Sequence, residues 1–158
     1  MTAALTLDVE LQPDWRNVTR ASEAAALLTF GTYGNADLRD AIAMISAELL
    51  ENAIKYADPH ELVRLSIEED GATIVVSVTN AVVQPRDVHR LAERVAWLDK
   101  YPDAATAWAE ALLLVTSDDG DDIHGGLGIL RIAYEGGSRI EYDASTPGFL
   151  TVRARLPR

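Results

Sequence analysis

The chain has 158 residues, 48% hydrophobic and 25% charged, with 14 Lys and Arg against 25 Asp and Glu for a formal net charge of −11. That length suits one domain over 1–158, and the apolar content supplies a packed core and excludes global disorder. The acidic balance excludes a general affinity for nucleic acid or anionic membrane, both polyanions.

With no cysteine there is no disulfide framework, thiolate metal site or cysteine nucleophile. The N-terminus lacks the basic and apolar regions of a signal peptide, and no apolar run approaches the ~20 residues of a membrane span. The expectation is a cytoplasmic protein.

Leu5, Leu7, Val9 and Leu11 alternate with other residues as in a half-buried first strand. Ser22 to Phe30 is rich in Ala and Leu and predicts a helix, followed by a loop at Gly31-Thr32-Tyr33-Gly34-Asn35. Asn35 or Asp37 caps a second, long helix that Asp58-Pro59 stops near Ala57. Leu62 to Glu68 and Thr73 to Thr79 alternate and are joined at Asp70-Gly71, a hairpin signal.

Two helices follow. Pro85 opens one with Val88, Leu91, Val95 and Leu98 at helical spacing, and Asp103 caps the other, which carries Ala107, Trp108, Ala111 and Leu112. Trp97, Tyr101 and Trp108 fit core packing, with a partner or self-association surface as the alternative. An acidic, glycine-rich loop from Ser117 to Gly126, a short helix ending at Gly136-Gly137 and a closing hairpin of Arg139 to Tyr142 with Leu150 to Leu156 complete the order. The whole predicts an α+β two-layer sandwich: a mixed, mostly antiparallel sheet covered by helices on one face.

Two segments carry candidate chemistry. On the long helix, Ile42, Leu49, Leu50, Ala53 and Ala57 form the core face, while Glu48, Asn52 and Lys55 share a stripe along its flank. A carboxylate there suits a base, a carboxamide a neutral Mg²⁺ ligand, and an ammonium a phosphate counter-charge; the plain alternative is an ordinary polar stripe on an amphipathic helix. In His124-Gly125-Gly126-Leu127-Gly128-Ile129, glycines before a helix can bring backbone N–H groups close to an anion. The alternative is a flexible helix entry.

Together these segments resemble a known family. Glu48-Leu49-Leu50-Glu51-Asn52-Ala53-Ile54-Lys55-Tyr56-Ala57 resembles the N box of the histidine-kinase-like ATPases, and Gly125-Gly126-Leu127-Gly128-Ile129 resembles their second glycine box. The size is nearest to the stand-alone anti-sigma-factor serine-kinase type. The resemblance covers roughly residues 37–157 and implies that fold, with ATP and Mg²⁺ as cofactors. It implies Asn52 as metal ligand, Lys55 as a phosphate contact and Glu48 as general base. Backbone at Gly125, Gly126, Leu127 and Gly128 would surround the phosphates.

The first glycine box departs from the family pattern. Asn80 stands where relatives keep the Asp that accepts from the adenine amino group, and no glycine follows. An amide oxygen still accepts, but without charge assistance; alternatively Asn80 is a strand-end turn residue. Asp118, Asp119, Asp121 and Asp122 precede the second box, where they would repel a triphosphate. The expected function is therefore an ATP-binding regulatory protein with a signalling protein partner, acting as a serine/threonine kinase or, alternatively, as a nucleotide-deficient interaction module. Homodimerisation fits either.

Overall fold

A computed structural model of the chain describes residues 4–115 and 127–158. The order is β1 (Thr6–Leu11), α1 (Trp15–Tyr33), α2 (Ala36–Tyr56), β2 (Val63–Asp70), β3 (Thr73–Ala81), α3 (Pro85–Asp99), α4 (Ala104–Val115), α5 (Leu127–Tyr134), β4 (Arg139–Asp143) and β5 (Phe149–Pro157). This is the α+β arrangement expected. The strands lie in the order β1-β2-β3-β5-β4, and every pairing is antiparallel, so the sheet has no parallel component among the described residues.

Local chemistry sets the element ends. Asp14 opens α1 by accepting from Arg16 N, and Gly34, at φ 63°, closes it in the left-handed conformation that glycine adopts without strain. Asn35 then caps α2 through Leu38 N, so the two long helices turn back on each other within two residues. α1 thus begins well before the Ser22 expected from its Ala and Leu content. Asp103 caps α4, its Oδ1 accepting from Thr106 N at 2.7 Å. The β2–β3 hairpin turns at Gly71, φ 62°.

The sheet is two-faced. Val63, Leu65 and Ile67 of β2, Ile74, Val76 and Val78 of β3, and Ala154 and Leu156 of β5 are buried beneath the helices. α2 packs Ile42, Ile45, Leu49, Leu50 and Ala53 against that face. The opposite face is polar apart from Val75 of β3. It carries Asp8 bonded to Arg64 (Nε to Oδ1, 2.7 Å), Thr79 beside Thr151 (2.8 Å) and Arg155 bonded to Asp70 (2.6 Å).

α3 and α4 are less committed to the core than their apolar stripes suggest. No residue of α3 is fully buried: Val88, Leu91, Val95 and Leu98 are each half-buried. Trp97 packs on Tyr101 (centroids 4.7 Å apart) and Trp108 stacks on Tyr134 (5.9 Å), all only partly covered. α4 does bury Ala107 and Ala111. No described helix is long and apolar enough to cross a membrane.

Candidate functional site

α3 does not press onto the sheet beside α2. It stands off, and a cavity of about 890 Å³ opens between α2, α3 and the ends of β3 and β5. That size accommodates a small organic ligand or nucleotide. The α2 flank brings Asn52, Lys55 and Tyr56 to its wall, β3 brings Asn80, and α3 brings Arg90, Arg94 and Trp97. Leu49, Ala53, Val78 and Ile129 form an apolar floor.

Three of the expected residues, Asn52, Lys55 and Asn80, therefore meet in one cavity although they come from different elements. Lys55 sits beside the neighbouring Tyr56 ring, with Nζ 5.3 Å from its centroid. Asn80 is 5% exposed, and its Nδ2 donates to the Ala81 carbonyl at 3.0 Å. Because that partner is an acceptor only, the nitrogen's place is fixed, and what Asn80 offers a ligand is its Oδ1.

Glu48 lies apart from the cavity. It sits on the seam between α2 and α5, where its Oε1 accepts from Arg131 Nη1 at 3.0 Å; the Glu48 side chain is 18% exposed. Arg131 also donates to Glu135 (Nε to Oε2, 2.7 Å), and these carboxylates, Glu135 foremost, hold its guanidinium above its ordinary pKa. A carboxylate engaged by a guanidinium is not free to turn toward another group's proton.

The glycine box does approach the N box. A Cβ at Gly128 would stand 2.6 Å from Glu48 Oε2 and 3.7 Å from Asn52 Nδ2, so only a glycine leaves that junction undisturbed. Leu127 begins α5 at the same place and is half-buried. Gly125, Gly126, His124 and the four aspartates of 118–122 lie outside the described residues.

Among the described residues, the donor set does not build a divalent-cation site. Asn52 contributes one neutral amide oxygen, and the carboxylate one turn away on α2, Glu48, is engaged by Arg131. No group of three His, Asp or Glu residues able to hold a metal ion occurs among the described residues. Mg²⁺ ordinarily takes one or two carboxylates besides phosphate and water.

No protein-family model matches the chain, and no curated protein matches it in sequence. Its fold is similar to that of a chain in the crystal structure of the SiaB-SiaC complex from Pseudomonas aeruginosa. That likeness has a TM-score of 0.75 and 18% sequence identity, over 95% of this chain and 88% of that one. At that identity the likeness is one of fold.

Sequence reasoning missed two features. The first is the grip of Arg131 on Glu48, which joins positions 83 residues apart. The second is the cationic wall of α3. Arg90 and Arg94 lie one turn apart, with Arg86 a turn earlier and outside the cavity, a helical-face signal readable in the sequence beside the apolar stripe of the same helix.

Proposed function

We propose that the chain is a regulatory protein of the histidine-kinase-like ATPase type that binds an adenine nucleotide in the α2–α3 cavity and acts through a protein partner. One observation carries the nucleotide reading: α3 forms a wall of an open cavity instead of filling it, with Asn52, Lys55 and Asn80 on the walls made by α2 and β3. The Oδ1 of Asn80 suits an exocyclic amino group, the floor of Leu49, Ala53, Val78 and Ile129 suits a base, and Lys55 suits a phosphate. The partner reading draws on the SiaB-SiaC structure, a complex of two proteins. It draws also on α1, whose Leu27 is 73% exposed beside exposed Leu28 and Phe30.

A kinase step extends the same reading. Glu48 would accept a proton from a partner's hydroxyl once Arg131 released it, as part of positioning the transfer. The hold of Arg131 on Glu48 favours the second reading, an interaction module that binds its partner without group transfer.

Calorimetric titration of the full chain with ATP tests the nucleotide reading, with Asn52→Ala beside it. Saturable binding, weakened about tenfold by the substitution, supports it. Absence of binding at millimolar ATP overturns it and leaves the interaction module.

A further inference from the structure

The cavity is opposite in sign to the chain that contains it. Arg90 and Arg94 lie one turn apart on α3, Lys100 follows at the end of that helix, and Lys55 belongs to α2; all four line the cavity. The carboxylates on the same wall are Asp87 and Glu93, which leaves a formal excess of two positive charges in a chain at −11.

None of these four cations has a carboxylate within 4.0 Å among the described residues, while Arg16, Arg39, Arg64, Arg131, Arg155 and Arg158 are all paired. Glu93 is itself turned to His89, at 3.1 Å. Like charges gathered around one cavity repel one another and raise the local potential for an anion.

We propose that the phosphates of the ligand are held by Arg90 and Arg94 together with Lys55 and Lys100, and that binding needs no divalent cation. The inference rests on the nucleotide reading of this cavity. The excess of two charges equals what a Mg²⁺ ion would bring. Guanidinium forks match phosphate oxygens in pairs, whereas the oxygen donors around Asn52 make no metal site among the described residues. The wall thus does the neutralising that the family resemblance assigns to the metal.

The experiment titrates the full chain with ATP and, separately, with adenosine, in excess EDTA and in excess Mg²⁺. ATP affinity in EDTA equal to or tighter than that in Mg²⁺ is expected, because the metal would cancel two of the charges that the wall reads. Arg90→Gln with Arg94→Gln should weaken ATP in EDTA by about a hundredfold and leave adenosine within about threefold, at about tenfold for each charged contact.

ATP binding that vanishes in EDTA overturns the inference while leaving the nucleotide reading intact. So does ATP binding indifferent to the double substitution. Should neither ATP nor adenosine bind in either buffer, the nucleotide reading fails and takes the inference with it. The unsubstituted chain provides a check independent of any variant: added KCl should weaken ATP and spare adenosine, and a salt-indifferent ATP affinity overturns the cationic wall.

Discussion

Gly128→Ala separates the architecture of the N-box junction from its use. The new methyl carbon would sit 2.6 Å from Glu48 Oε2, so that oxygen has to retreat by about 1 Å to reach ordinary contact. It belongs to the end of a flexible side chain, and the retreat draws Glu48 away from Arg131 at 3.0 Å. Losing that partly exposed pair costs at most about 1 kcal/mol. Replacing glycine by alanine at the start of α5 returns up to about 1 kcal/mol of helix propensity. The two effects nearly cancel, so urea unfolding should place the variant within about 1 kcal/mol of the parent.

Ligand affinity should not be spared, because the methyl comes into contact with Asn52, 3.7 Å from its Nδ2, and takes up space beside the amide that a ligand would approach. A loss of about tenfold in ATP affinity is expected. Gly136→Ala is the contrasting control. There a Cβ meets the Ile132 carbonyl oxygen, a backbone atom, and comes within 3.0 Å of Ile45 Cδ1. Neither can step aside without disturbing α5 or the core, and the expected cost is about 1–3 kcal/mol. The reasoning is refuted if Gly128→Ala destabilises more than Gly136→Ala, or if it leaves ATP affinity unchanged.

Other outcomes follow from the same structure. Asn80→Asp should destabilise the chain by about 1–3 kcal/mol in urea melts, because it removes the donor to Ala81 and sets a carboxylate oxygen against that carbonyl; a stability equal to the parent's would contradict it. Leu50→Ala, at a fully buried position, should cost about 2–5 kcal/mol by the same assay. The Asp14 carboxyl, held down chiefly by its hydrogen bond from the Arg16 side chain, should titrate at about 2 when followed by NMR. Since the folded state lowers that pKa, its contribution to stability is complete above the ordinary value of 3.8 and is lost as pH falls through about 2. A midpoint near 3.8 would show that neither the Arg16 side-chain bond nor the cap holds the carboxylate.

Much of the fold was legible because its signals are local. The Asp70-Gly71 turn, the Asn35 and Asp103 caps and the alternation in β5 are each contained within a few residues, and each appears where expected. The α2 core face was readable from helical spacing, with Ile42, Leu49, Leu50 and Ala53 buried and Ala57 half-buried. The start of α1 was missed because Asp14 caps a turn that opens on exposed Trp15 and Arg16, ahead of any apolar repeat.

The site was legible in part. Motif order placed Asn52, Lys55 and Asn80 together, because the α2–β2–β3 connection folds those elements side by side. Periodicity was silent on how far α3 stands from α2, since an amphipathic helix has the same stripe whether it closes a core or walls a cavity. The fate of Glu48 was equally hidden: its neighbour Arg131 arrives on α5, and helical spacing says nothing about a partner on another element.

The placing of β5 has a consequence for how the chain acquires its shape. β5 is the last strand in chain order, yet it lies inside the sheet, hydrogen-bonded to β3 on one side and β4 on the other. During synthesis β1, β2 and β3 can assemble early, but β3 then presents an open edge, and the apolar faces of Ile74, Val76 and Val78 lack their final neighbour. Closure waits on contacts made across long stretches of chain, the slow kind of strand pairing. Until Phe149–Pro157 inserts, the nascent protein carries a ready template for a foreign strand, and misassembly is most exposed in that interval.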